Sequence, residues 1–242
     1  MKSGESPGPC PRPACLLGWP GRRDLSLPAR PRSVPVNFFG HATLALKQSD
    51  DPRFVLGSML PDLVSMAGVR IAQAHDPVLA AGIALHHETD ARFHSAAPFT
   101  ELCHAANEQL QAAGVGRATA RAVGHVGSEL LLDGLLSFNE QASAAYKRTL
   151  EHSVREPMHE ALSLRGDATT AELQTLLARL HRAPLPEGYR DPSFVLDRLQ
   201  TILARRPRLA FQPNDLAPTL RWLEATKAQL EQHGTAWIDT LL

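Results

Sequence analysis

The sequence predicts an all-α protein: a single helical bundle over residues 36–242, behind a disordered Pro/Arg-rich extension at residues 1–35. Three observations predict it. Apolar residues, mostly Leu and Ala, recur at helical spacing through most of the chain, and aromatics make up only 5%. There is no strand-period alternation of useful length, no internal repeat and no Gly-rich phosphate loop. The first 35 residues hold eight of the nineteen prolines, and proline removes amide donors and biases each preceding residue away from helix.

Composition bounds the rest. A chain of 242 residues can bury one substantial core, and its 43% hydrophobic and 21% charged content is ordinary for a globular protein. Formal net charge is zero, which predicts neither nucleic-acid nor membrane affinity. That zero hides an asymmetry: residues 1–35 carry six basic and two acidic side chains, the remainder nineteen and twenty-three. The alternatives to plain disorder at 1–35 are a basic docking tail, or a natural start near Val36. Cys10, Cys15 and Cys103 form neither a disulfide framework nor a zinc-ribbon pair and fit a reducing cytoplasm. No apolar run approaches the roughly 18 residues of a membrane span, and the CLLGW patch is too short for a signal-peptide core.

From Val36 the texture is that of a core. VNFFGHATLAL is apolar except for Asn37, His41 and Thr43, and a polar break at 48–53 separates it from FVLGSMLPDLVSM. There Pro61 is positioned to start a helical turn and aim Asp62 inward. Residues 76–97 form a helix opened by Asp76-Pro77 and ended by Pro98. Residues 99–113 read as amphipathic helix stopped by Gly114 and Gly116, and 117–138 as a further helix. Helix continues over 139–164, kinked or split at Pro157. Asp167–Arg182 is a helix capped by Thr169 or Thr170, burying Leu173, Leu176, Leu177 and Leu180. After the HRAPLPEGYRDP loop, Phe194–Ala204 turns Val195, Leu196, Leu199, Ile202 and Leu203 inward; the last helix runs from about Ala217 to His233.

Chemistry concentrates on two of these helices. His86, Asp90 and His94 fall at i, i+4 and i+8, one turn apart on one face. His125, Glu129 and Asp133 repeat that spacing downstream. Seven of the eleven histidines lie between 41 and 125; His75, His104, His152, His159, His181 and His233 read as ordinary core or surface residues. Asp62, Asp90 and Asp133 stand in apolar sequence, where a buried carboxylate needs a cation or an arginine such as Arg70, Arg92, Arg117 or Arg121. Together these give a candidate metal set of His41, Asp62, His86, Asp90, His125, Glu129 and Asp133. Mixed imidazole and carboxylate donors suit a divalent metal, Mn first, with Fe, Zn or Mg as alternatives. No GxSxG elbow or Cys–His pair points to covalent catalysis. The candidate catalytic residues are Asp62, His87 and His94, the two imidazoles as general acid or base near neutral pH.

In order, VNFFGHATLAL, GSMLPDLV, AGIALHHETDARFH, ELLLD and LQTILARRPRL resemble the acyl carrier protein phosphodiesterase family over residues 36 to about 233. The resemblance implies a helical fold related to the HD-type metal phosphohydrolases. It also implies hydrolysis of the phosphodiester that joins 4′-phosphopantetheine to a carrier-protein serine, with holo acyl carrier protein as partner. His41, Asp62, His86, Asp90 and Asp133 match family positions. The implied roles are metal ligation by Asp62, His86 and Asp90, ligation or ligand orientation by Asp133, and a metal or phosphate contact by His41.

The chain departs from the family pattern at His87, which replaces an arginine, and at Phe93-His94, which replaces Thr-Asp. Glu129 replaces an aspartate, Gly134 a histidine, and His125 has no counterpart. Losing the arginine removes a phosphate clamp, while the added imidazoles enrich the site for a transition metal. Arg205, Arg206 and Arg208 are the basic run available to an acidic carrier protein. The alternatives are a phosphohydrolase acting on a small phosphodiester, nucleotide or phospholipid head group, and a module that binds metal or phosphopantetheine without turnover.

Overall fold

Side-chain caps punctuate the chain. Asp51, Asp76, Asn139 and Asp191 each accept an amide hydrogen from the first turn of the helix they precede, which satisfies donors that a helix start leaves orphaned. The computed structural model describes residues 38–156, 158–184 and 186–239, the last seven by their backbone alone. The expected extension at 1–35, the kink at Pro157 and the side chain of His233 lie outside the described residues.

The central element is α1 (Phe38–Leu46), in which every residue from Phe38 to Ala45 is buried. Helix α2 (Pro52–Met66) packs along it, and α3 (Pro77–Ser95) packs along α2 in the most extensive helix pairing of the described residues. Helix α4 (Ala97–Ala112) follows. Next come α5 (Arg117–Ala122), a π-helical turn at Val123–Gly127 and α6 (Ser128–Leu136). Helix α7 (Glu140–Arg155) closes over α1, where Tyr146 meets the rings of Phe38 and Phe39 at 6.1 and 5.4 Å. Beyond the one-turn α8 (Met158–Ala161), helices α9 (Ala171–Arg182), α10 (Pro192–Leu203) and α11 (Leu216–Asp239) complete the array. No helix among the described residues is long and apolar enough to cross a membrane.

The architecture is helical as expected, with four local corrections. A short antiparallel ribbon pairs β1 (Ile71–Ala74) with β2 (Leu162–Leu164), so the predicted helix over 139–164 gives way after Ala161. Neither strand is long enough to display alternation; pairing across 90 residues, not local pattern, makes them strands. Pro61 lies inside α2 instead of opening a turn, since the helix already starts at Pro52 behind Asp51. Pro98 stands in the first turn of α4, where its missing amide costs nothing, and α3 stops at Ser95 before it. Ile202 is half-buried against the core that Val195, Leu196, Leu199 and Leu203 enter fully. The α9 stripe of Leu173, Leu176, Leu177 and Leu180 is buried as predicted, with Thr169 Oγ1 accepting the Ala171 amide at 3.3 Å.

Candidate metal centre

Helices α1, α2 and α3 bring the first cluster together. A turn containing Pro61 lacks the amide that would bond the Gly57 carbonyl, and proline opens such a turn. One residue on, the Ser58 carbonyl accepts the His86 Nδ1 hydrogen at 2.8 Å. On α1, His41 Nδ1 is 3.2 Å from Thr89 Oγ1, whose own hydrogen goes to the Leu85 carbonyl at 2.9 Å. His41 therefore donates to Thr89. Both imidazoles are buried, and both hold their hydrogen on Nδ1, which leaves each Nε2 a bare lone pair.

Those lone pairs face carboxylates. His41 Nε2 lies 4.0 Å from Asp62 Oδ2 and 3.9 Å from Asp90 Oδ1, and His86 Nε2 lies 3.7 Å from Asp62 Oδ1. These distances are too long for hydrogen bonds, and every facing atom is an acceptor. Burial, then the charge on neighbouring imidazoles, lowers His41 to about 3. Burial likewise lowers His86 to about 4, against the pull of Asp90 and the Ser58 hydrogen bond. Both are neutral at physiological pH. Burial and the nearby Glu129, Asp90 and Asp133 push Asp62 well above the usual carboxylate range. His41, His86 and Asp90 offer ligand atoms within 4.8 Å of one another, with Asp62 alongside. Neutral imidazole lone pairs converging with crowded carboxylates fit a divalent cation, and Thr89 and the Ser58 carbonyl already fix the ring tautomers.

A second cluster adjoins it. His94 Nε2 is 3.1 Å from Asp90 Oδ1 and 3.6 Å from Glu129 Oε1; His125 Nε2 is 3.1 Å from the same Glu129 oxygen. The His94 and His125 rings stack at 4.8 Å with 9° between planes. Burial works against Asp90, but the hydrogen bond and charge of His94 hold it below the ordinary range. Burial alone would lower His125, yet hydrogen bonds with Cys103 and Glu129 and their charges raise it to about 10.

The other sequence-selected residues fall elsewhere. Asp133 does not join Glu129 and His125: its Oδ2 and Oδ1 accept the Phe39 and Gly40 amides at 3.3 and 2.8 Å, at the start of α1. Each four-residue step turns a helix position about 40° further round, and over two steps Asp133 has rotated towards α1. Burial raises Asp133 despite those amides. His87 is exposed, edge-on to His86 with ring centroids 5.4 Å apart. Arg205, Arg206 and Arg208 occupy the turn after α10, the first and last exposed and Arg206 half-buried. Of the bystander histidines, His75 and His181 are exposed, His152 is half-buried, and His104 and His159 sit 3.6 and 3.9 Å from Glu108 and Glu160.

Sequence reading missed Ser58 and Thr89, which act on histidines through hydrogen bonds. Thr89 had a legible signal, since it stands three residues after His86 and so near the same helix face. It also left Gly134 unexplained. A Cβ there would lie 2.4 Å from the Tyr189 carbonyl, so this position admits no side chain while the buried Tyr189 turn rests on α6.

No curated protein and no solved structure matches the chain significantly. A family model described as acyl carrier protein phosphodiesterase matches residues 36–241, which takes in every element that builds either cluster. Coverage that runs from α1 to the end of α11 is more than a shared local motif, and this chain belongs to the acyl carrier protein phosphodiesterase family.

Proposed function

We propose that the protein is a metal-dependent phosphodiester hydrolase that releases 4′-phosphopantetheine from holo acyl carrier protein. Family membership supports the reaction. The observation that carries the metal dependence is the pair of Nε2 lone pairs on His41 and His86 facing Asp62 and Asp90. His41, Asp62, His86 and Asp90 would hold the ion, Mn by preference. When bound, it would neutralise charge on the phosphoryl oxygens and make water a better nucleophile.

The chain's own residues supply the rest. Water oxygen forms the new bond to phosphorus, the bond from phosphorus to the carrier serine oxygen breaks, and that oxygen takes a proton. His94 is engaged by Asp90 and Glu129. The exposed His87, beside His86, is therefore the better placed of the two to exchange a proton with substrate. Asp133 positions α1, and with it His41, through the Phe39 and Gly40 amides. Arg205 and Arg208, exposed in the turn after α10, are the proposed contact for an acidic carrier protein.

Elemental analysis of purified wild type and of Asp62→Asn with His86→Ala tests the ion. Near-stoichiometric metal lost in the double variant supports the reading. A metal-free wild type that takes up no Mn on reconstitution overturns it. Mass spectrometry of holo carrier protein incubated with the Mn-loaded enzyme tests the substrate. Turnover confined to small phosphodiesters would replace the carrier protein with a low-molecular-weight substrate.

A further inference from the structure

We propose a second divalent-cation position beside the first, held by His94, His125 and Glu129, with Asp90 shared between the two. It rests on the reading that His41, Asp62, His86 and Asp90 hold the first ion. Three independent features converge on it.

Glu129 comes first. Its side chain is 3% exposed, and while Oε1 meets both imidazoles, Oε2 has no hydrogen-bond partner. A buried carboxylate oxygen without a partner is costly, and a cation is the partner that satisfies it. His94 Nδ1 is likewise buried and unpartnered.

Donor geometry comes second. His94, His125 and Glu129 come from three segments, α3, the π-helical turn and α6, the first separated from the other two by α4 and α5, yet their ligand atoms lie within 4.8 Å of one another. Parallel stacking of the two rings brings both Nε2 atoms to one carboxylate oxygen. The π-helical turn carries His125, and such turns recur where a side chain must be placed for function.

Asp90 comes third. Its Oδ1 is 3.9 Å from His41 Nε2 and 3.1 Å from His94 Nε2, which puts one carboxylate between the two donor sets. A carboxylate so placed can bridge two ions, the arrangement that clamps a phosphoryl group from both sides. Two imidazoles and a carboxylate suit Zn, Mn or Fe over Mg.

The test is a binding titration of chelator-stripped, full-length protein with Mn(II) and, separately, Zn(II), read as ions bound per chain. Low-temperature electron paramagnetic resonance of the Mn form reports spin coupling between neighbouring ions. Wild type is expected to bind two ions with a coupled signal. His125→Gln and His94→Asn are each expected to bind one, with the coupling gone and the thermal melt still cooperative. His125 is chosen over the buried Glu129 because its side chain is 36% exposed. One ion in wild type, unchanged by either substitution but lost in His86→Gln, would overturn the second position and leave the first. No ion under any condition would overturn both.

Discussion

Gly57 on α2 and Gly82 on α3 meet backbone to backbone. A Cβ on Gly82 would lie 2.9 Å from Gly57 Cα and 2.2 Å from the Phe54 carbonyl oxygen; one on Gly57 would lie 2.3 Å from the Leu79 carbonyl. The site follows from this contact, because Ser58 directly follows Gly57 and His86 stands one turn after Gly82, and the two are joined at 2.8 Å. Gly82→Ala is expected to destabilise the protein by about 2–3 kcal/mol, the usual cost of overpacking. Chemical denaturation would measure that loss, and bound metal per chain should fall with it.

Asp62 is a buried carboxylate raised first by burial and then by its acidic neighbours, so its charge opposes folding in metal-free protein. Asp62→Asn should raise the metal-free melting temperature by about 2–4 °C, the shift that roughly 1 kcal/mol gives in a chain of this size. It should also remove the share of Mn stabilisation that the His41–His86 position supplies, about 2.7 kcal/mol at a hundredfold excess over Kd. Calorimetric melts with and without Mn would read both signs. A fall in metal-free stability would count against a repulsive Asp62.

Asp133 and Asp62 are expected to respond differently. Asp133→Ala leaves the buried Phe39 and Gly40 amides without acceptors, at a cost of about 1–3 kcal/mol. Asp133→Asn restores one acceptor and should lose less. Both variants should still bind metal, and the readout is stoichiometry beside the denaturation midpoint. Loss of metal in a fully folded Asp133→Asn would make Asp133 a ligand.

Asp76 provides the pH dependence. Burial is the largest single influence and raises it, but the Leu79 and Val78 amides and Arg53 together outweigh burial and hold it below the ordinary carboxylate value. A lowered folded pKa contributes stability that is fully present above the unfolded value near 4 and is lost as pH falls through the folded one. Asp76→Ala should therefore cost about 1 kcal/mol at pH 7 and progressively less towards pH 2. Asp76→Asn, a cap that does not titrate, should show no such trend. Urea midpoints from pH 2 to 7 would follow it.

Much of this arrangement was legible from local chemistry. The cap at Asp76, the leucine stripe of α9 and the i, i+4, i+8 face of α3 depend on residues within a turn or two of each other. Helical periodicity records such relations directly. The β1–β2 ribbon was illegible because Ile71 and Leu164 acquire strand character only by pairing with one another.

The sequence by itself determined the helical class, the family and the candidate donors, because residue type and spacing carry all three. Only the tertiary structure decided how those donors divide. Spacing put Asp133 with His125 and Glu129, whereas packing gave its oxygens to the start of α1. Spacing put His86 and His94 on one face, whereas packing set His86 with His41 and His94 with His125. The ring nitrogens of His41 and His86 and the oxygens of Asp133 are assigned by groups facing them from another helix. Of those groups, Ser58 and the α1 amides lie tens of residues away in the chain and leave no periodic trace in it.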